Sequence, residues 1–142
     1  MQLGKLSVTG FPPQTAKSGK EMTDRKEKLR QAFEDQNKFE LPKTIKSCID
    51  KEKLFVKVIF NLNDKAENPT SYKKDLDNML KVLLDVLPEE MDDNTKAKGL
   101  GIISGNEDER VWKIHCIKNF VHTPEEEGIV IEFHEFIENQ IG

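Results

Sequence analysis

Leu6 and Val8 alternate with Lys5, Ser7 and Thr9 near the start of the chain. That two-residue period is the mark of a strand with one buried face. This first strand, Lys5 to Gly10, ends at Gly10-Phe11-Pro12-Pro13, because proline has no N–H to continue a ladder. A polar loop with Lys17, Ser18, Gly19 and Lys20 follows. From Lys20 to Gln36 the period lengthens. Met22, Leu29 and Phe33 fall near one face of a helix, while Lys26, Lys28 and Arg30 point elsewhere. The thin apolar face predicts a helix with one well-solvated side. Between Asn37 and Asp50 the chain bends at Leu41-Pro42, and Ile45 and Ile49 fit a short helix.

Leu54 to Leu62 is a nearly continuous apolar run, Leu-Phe-Val-Lys-Val-Ile-Phe-Asn-Leu. Such a run predicts a central strand buried on both faces. A loop with Lys65, Pro69, Lys73 and Lys74 leads to the clearest helix, Asp75 to Leu87. Its apolar positions are Leu76, Met79, Leu80, Leu83, Leu84 and Leu87, and Pro88 stops it. Val111 to Lys118 reads as a third strand and Gly128 to Phe136 as a fourth, joined by an acidic turn from Thr123. Their closeness in sequence predicts a hairpin. The fold class is α+β: a mixed β-sheet with covering helices, in the order β-α-β-α-β-β, within one domain spanning residues 1–142.

Composition narrows the functional classes. Apolar residues are 36% and charged residues 34%, with a formal net charge of −4. The negative balance runs against nucleic-acid binding through overall charge and leaves only a local basic patch to do it. Lys17, Lys20, Lys65, Lys73, Lys74, Lys96 and Lys98 fall in predicted loops or at helix starts. No apolar run reaches the length of a membrane span, and Met1 to Leu6 lacks the apolar stretch of a signal peptide, so a cytoplasmic protein is expected. Cys48 and Cys116 have no metal-ligand spacing and read as reduced thiols. His115, His122 and His134 are scattered, and Ser104-Gly105-Asn106 reads as a turn.

Chemistry concentrates in Lys73-Lys74-Asp75-Leu76-Asp77-Asn78-Met79-Leu80-Lys81. Asp75 and Asp77 stand two apart at a loop-to-helix junction, and Lys81 lies one turn after Asp77 on the same face. That face lies opposite the leucine stripe. Paired carboxylates suit a hard cation such as Mg²⁺, and a nearby lysine suits charge developing on phosphate. The same residues also fit an ordinary helix start. Asp75 would then be the N-cap, Asp77 a first-turn acid favoured by the helix dipole, and Asp77–Lys81 a surface ion pair.

Asp-Leu-Asp-Asn-x-x-Lys after a central strand, followed by a leucine-rich helix, resembles the central motif of the RusA-type Holliday junction resolvases. The first strand running into Phe11-Pro12-Pro13, the helix ending Leu84-Asp85-Val86-Leu87 and the third strand also resemble that family, in the same order along nearly the whole chain. The resemblance implies a Mg²⁺-dependent endonuclease that nicks branched DNA and acts as a homodimer. It places metal binding on Asp75, Asp77 and a later acid, and catalytic assistance on Lys81. For the third acid, Glu107-Asp108 stands just before the third strand and follows Gly101-Ile102-Ile103, as in the family, whereas Asp92-Asp93 sits in a polar loop. Asp108 is therefore the expected ligand and Asp93 the alternative. Choosing Asp108 makes Glu89 to Lys98 an insertion relative to the family. The loop before the aspartates carries only Lys73 and Lys74, among Asp64 and Glu67, where the family's is denser in basic residues. A non-catalytic relative, serving as a nucleic-acid-binding or protein-interaction module, is the alternative function.

Overall fold

The computed structural model describes residues 2–13, 20–37, 53–63, 76–88, 99–102 and 111–137. Strand β1 (Gln2–Thr9) leads to helix α1 (Lys20–Asn37), strand β2 (Leu54–Asn63), helix α2 (Leu76–Val86), strand β3 (Val111–Val121) and strand β4 (Gly128–Glu135), with a 3₁₀ turn at Pro124–Glu126. The α+β class and the order of elements are those expected. The short helix around Ile45 and Ile49 falls outside the described residues.

The four strands form one mixed sheet in the order β1-β4-β2-β3. β4 runs antiparallel to both β1 and β2, and β3 runs parallel to β2. The expected β3–β4 hairpin is therefore corrected: β2 lies between the two strands. The apolar run of β2 explains this. Leu54, Val56, Val58, Phe60 and Leu62 are all fully buried beneath the helices, which suits an interior place for β2. β4, with Ile129, Ile131 and Phe133 buried, fills the interior place. The connection 122–127 spans two strand spacings, roughly 10 Å, and so steps over the end of β2. It is tied to the end of β1, where the Gly10 and Phe11 amides donate to the Glu125 and Glu127 carbonyls.

One face of the sheet carries both helices, and the core sits between. Leu29 and Phe33 of α1 and Met79, Val82, Leu83 and Val86 of α2 meet the buried positions of the strands. The other face of β2, with Phe55, Lys57 and Ile59, is only half-buried. The expectation of burial on both faces holds for one face alone. Gly128 lies where β4 passes both neighbours. A Cβ there would stand 1.8 Å from the Val8 carbonyl oxygen, so no other residue fits without moving backbone.

The outer edge of β1 is closed by two side chains from the last turn of α1. Asn37 donates to the Ser7 carbonyl at 2.8 Å and accepts from the Ser7 amide at 3.1 Å. Gln36 does the same at Thr9, with both bonds at 2.8 Å. Each carboxamide stands in for the peptide group of a missing strand, which removes an edge that would otherwise invite pairing. At the other end of the helical layer, Lys26 of α1 pairs with Asp85 of α2 at 3.0 Å.

Candidate functional site

Helix α2 starts at Leu76, and Asp77 lies in its first turn, where the exposed N–H groups of a helix favour negative charge. Its buried residues are Met79, Val82, Leu83 and Val86. Leu76, Leu80 and Leu84 are only half-buried. The buried face is thus rotated from the leucine stripe read in the sequence, because the valines pack against the sheet as fully as the leucines do. Asp77 and Lys81 are exposed, as expected. They border an open cavity of about 360 Å³, lined also by Leu80, Leu84 and Asp85. Its wall is half apolar and half charged, with an acid at each end and a lysine between.

Asp77 also makes itself felt on β3. The Cys116 thiol is pushed up to about 11, first by burial and then by the negative charge of Asp77. This thiol stays protonated at neutral pH. Nothing in the sequence spacing linked Cys116 to Asp77, whose charge reaches the thiol only because α2 packs near β3.

Of the expected site residues, Asp77 and Lys81 come together on one cavity. Asp75 and Asp108 lie outside the described residues, as do the alternative pair Asp92-Asp93, Cys48 and the loop lysines 65, 73, 74, 96 and 98. Among the described residues no three His, Cys, Asp or Glu side chains gather where they could hold a metal ion. Asp77 and Asp85 are two turns apart, roughly 12 Å along the helix, too far to share one ion. Among the described residues Asp77 offers one exposed carboxylate to a hard cation; the further ligands that the resemblance implies, Asp75 and Asp108, lie outside them.

Comparison with protein-family models, curated proteins and solved structures finds no match to this chain. The site is therefore read from its own residues. His134 has a structural place: its Nε2 lies 2.9 Å from Glu132 Oε1, and its ring stacks on Phe55 with centroids 5.4 Å apart. Of the cavity-lining residues, Leu80 and Leu84 were assigned to the core in the sequence, and only their half exposure brings them to the cavity. Glu127 is buried, with one carboxylate oxygen lacking a hydrogen-bond partner. Its position next to Gly128 in an acidic turn gave no sign of burial. No helix among the described residues is long and apolar enough to cross a membrane.

Proposed function

We propose that the protein is a Mg²⁺-dependent endonuclease that nicks phosphodiester bonds in branched DNA, such as Holliday junctions, in recombination and repair. The observation that carries this reading is that Asp77 and Lys81 are both exposed and line one open cavity on α2. The resemblance of Asp75-Leu76-Asp77-Asn78 and Lys81 to the resolvase motif supplies the substrate class. The protein would act in the cytoplasm as a twofold homodimer, since a symmetric junction needs two cuts.

The reaction is hydrolysis: a water oxygen bonds to phosphorus and the P–O bond to the leaving sugar breaks. Mg²⁺, when bound, neutralises phosphate charge and polarises water. Asp77, with Asp75 and Asp108, would offer the hard oxygens that hold it. Lys81 lies one helical turn, about 6 Å along the axis, from Asp77. Its ammonium can meet the phosphoryl oxygens as charge builds on them, and it donates no metal ligand at neutral pH.

The decisive assay incubates purified protein with a labelled four-way junction and a linear duplex, with and without Mg²⁺. Wild type is expected to cut the junction, to stop in EDTA and to recover with excess Mg²⁺. Asp77→Asn should cut at least about 100-fold more slowly, beyond the roughly 10–100-fold cost of losing an outer-shell partner, while binding the junction as tightly or more so. Lys81→Ala should lower the rate of the chemical step and leave Mg²⁺ affinity largely unchanged. Cleavage by Asp77→Asn at the wild-type rate would end the metal-nuclease reading. Junction binding without cleavage by any variant, across Mg²⁺ and pH, would favour a non-catalytic binding module, the reading to which the net charge of −4 leans.

A further inference from the structure

Both helices lie on one face of the sheet, and by strand alternation the other face carries the side chains that stand between the buried ones. On β2 and just before it these are Lys53, Phe55 and Lys57, and on β4 and just after it His134 and Phe136. On β3 the register shifts by one residue: Val111 pairs with Leu54, but Lys113 pairs with Phe55. The extra residue, Trp112, turns to the helix-free face, where its ring meets that of Phe136 with centroids 5.7 Å apart. Trp112 is 54% exposed.

A second ring pair lies beside the first. Phe55 and His134 stack at 5.4 Å between β2 and β4. The two pairs together cover three neighbouring strands, roughly 10 Å across. Aromatic side chains on the open face of a four-stranded sheet are a platform for two or three unpaired bases. Each ring pair also comes with a cation. The Lys53 Nζ lies 4.2 Å from the Trp112 ring centroid, and the Lys113 Nζ lies 4.8 Å from that of Phe55. At an exposed site a lysine holds a ring less firmly than a base stacks on it. The ring is thus able to take a base while the ammonium, on its flexible stem, swings to a phosphate.

Charge selects the ligand. The chain carries a formal net charge of −4. Yet Lys5, Lys53, Lys57 and Lys113 gather on this face, and among the described residues Glu132 is the one acid there. Glu132 is engaged by His134, whose Nε2 lies 2.9 Å from its Oε1. Rings and cations side by side match the bases and phosphates of a single strand. A duplex keeps its bases stacked inside and offers the rings nothing. Ring faces and ammonium groups do not contact the sugar, so DNA and RNA strands are equivalent ligands.

We infer that the helix-free face of the sheet binds single-stranded nucleic acid, stacking bases on Trp112, Phe136 and Phe55 and pairing phosphates with Lys53, Lys57 and Lys113, without reading the sugar. The site lies across the sheet from α2. It is separate from Asp77 and Lys81 and stands whether or not the protein cuts DNA.

Trp112 is the only tryptophan of the chain, so its fluorescence reports on the site directly. In EDTA, which stops any Mg²⁺-dependent cleavage, oligothymidylate and oligouridylate of about 12 nucleotides should quench it. Their Kd values should agree within about threefold, because the sugar is not read. An abasic oligomer of the same length, which offers phosphates alone, should bind at least about tenfold more weakly, the loss of one stacked base. Trp112→Ala should keep the wild-type circular dichroism and bind labelled oligothymidylate at least about tenfold more weakly, and Trp112→Phe should recover most of the loss. Lys113→Gln should lower the slope of log affinity against log salt by about 0.7, one phosphate contact. Absence of quenching up to about 100 µM oligomer, the weak limit of non-specific binding, overturns the inference. So does equal binding of the abasic oligomer, which would make the face a general polyanion site, or a preference of about tenfold or more for one sugar. An unchanged Kd in folded Trp112→Ala, or an unchanged salt slope in Lys113→Gln, overturns it as well. Junction cleavage by a protein that fails these tests overturns this site alone, and quenching without cleavage leaves it standing.

Discussion

Asp77 reaches two neighbours, the cavity above α2 and the Cys116 thiol on β3. The second gives a measure of its position that does not depend on catalysis. Burial is the larger cause of the raised thiol value, and the charge of Asp77 adds to it. In a Cys48→Ser protein, alkylation of Cys116 should therefore rise about tenfold per pH unit through pH 8–10, as expected of a thiolate nucleophile below its pKa. It should level off near pH 11, and in Asp77→Asn the plateau should move to lower pH without reaching 9.0, the ordinary value. The sign for stability follows. The folded thiol holds its proton more tightly than the unfolded one, so the advantage of the folded state is whole below pH 9 and is lost as pH rises through about 11. A plateau unchanged by Asp77→Asn would show that Asp77 does not face Cys116.

Among the elements, the α1 C-terminus combines two tasks. Asn37 bonds both backbone groups of Ser7 and also donates to the Phe33 carbonyl at 2.8 Å, in a half-buried setting. Gln36 serves Thr9 at an exposed site, where water replaces it readily. Asn37→Ala should therefore destabilise the protein by about 1–3 kcal/mol, the usual cost of stranding buried polar groups, and Gln36→Ala by less than about 1 kcal/mol. Urea denaturation of the two variants checks the order. Equal losses would mean that the Ser7 and Thr9 edge groups are equally wet. None of this was legible beforehand: Gln36 and Asn37 read as the polar end of a helix, because the strand they cap lies some thirty residues earlier in the chain.

Across the whole molecule, protection of backbone amides should follow the strand order. Among the described residues β2 and β4 have neighbours on both sides, whereas β3 has one. In dilute protein, hydrogen exchange should be slowest in β2 and β4 and markedly faster in the outward-facing amides of β3. The Ser7 and Thr9 amides should be slower than those of β3, since side chains hold them. Equal protection of β3 and β2 in dilute protein would show that β3 is not an edge.

Sequence alone determined the type and order of the described elements. Periods of two and of 3.6 residues are local, and each can be read within one segment. It also placed Asp77 and Lys81 on an exposed helical face, because their four-residue spacing fixes their relation whatever the helix packs against. Pairing was not local. Whether β4 folds back on β3 or crosses to the far side of β2 depends on contacts between distant segments, and here β2, with five fully buried side chains under the helices, takes an interior place. The same competition turned α2 so that Val82 and Val86 are buried and Leu80 and Leu84 stand at the cavity. It also brought Cys116 within reach of the Asp77 charge and left β3, with Trp112 and Phe120 exposed, beside β2. Those outcomes belong to the tertiary structure because each is settled by contacts between segments distant in the chain, where hydrophobic burial is shared among elements and no single segment fixes its own neighbours.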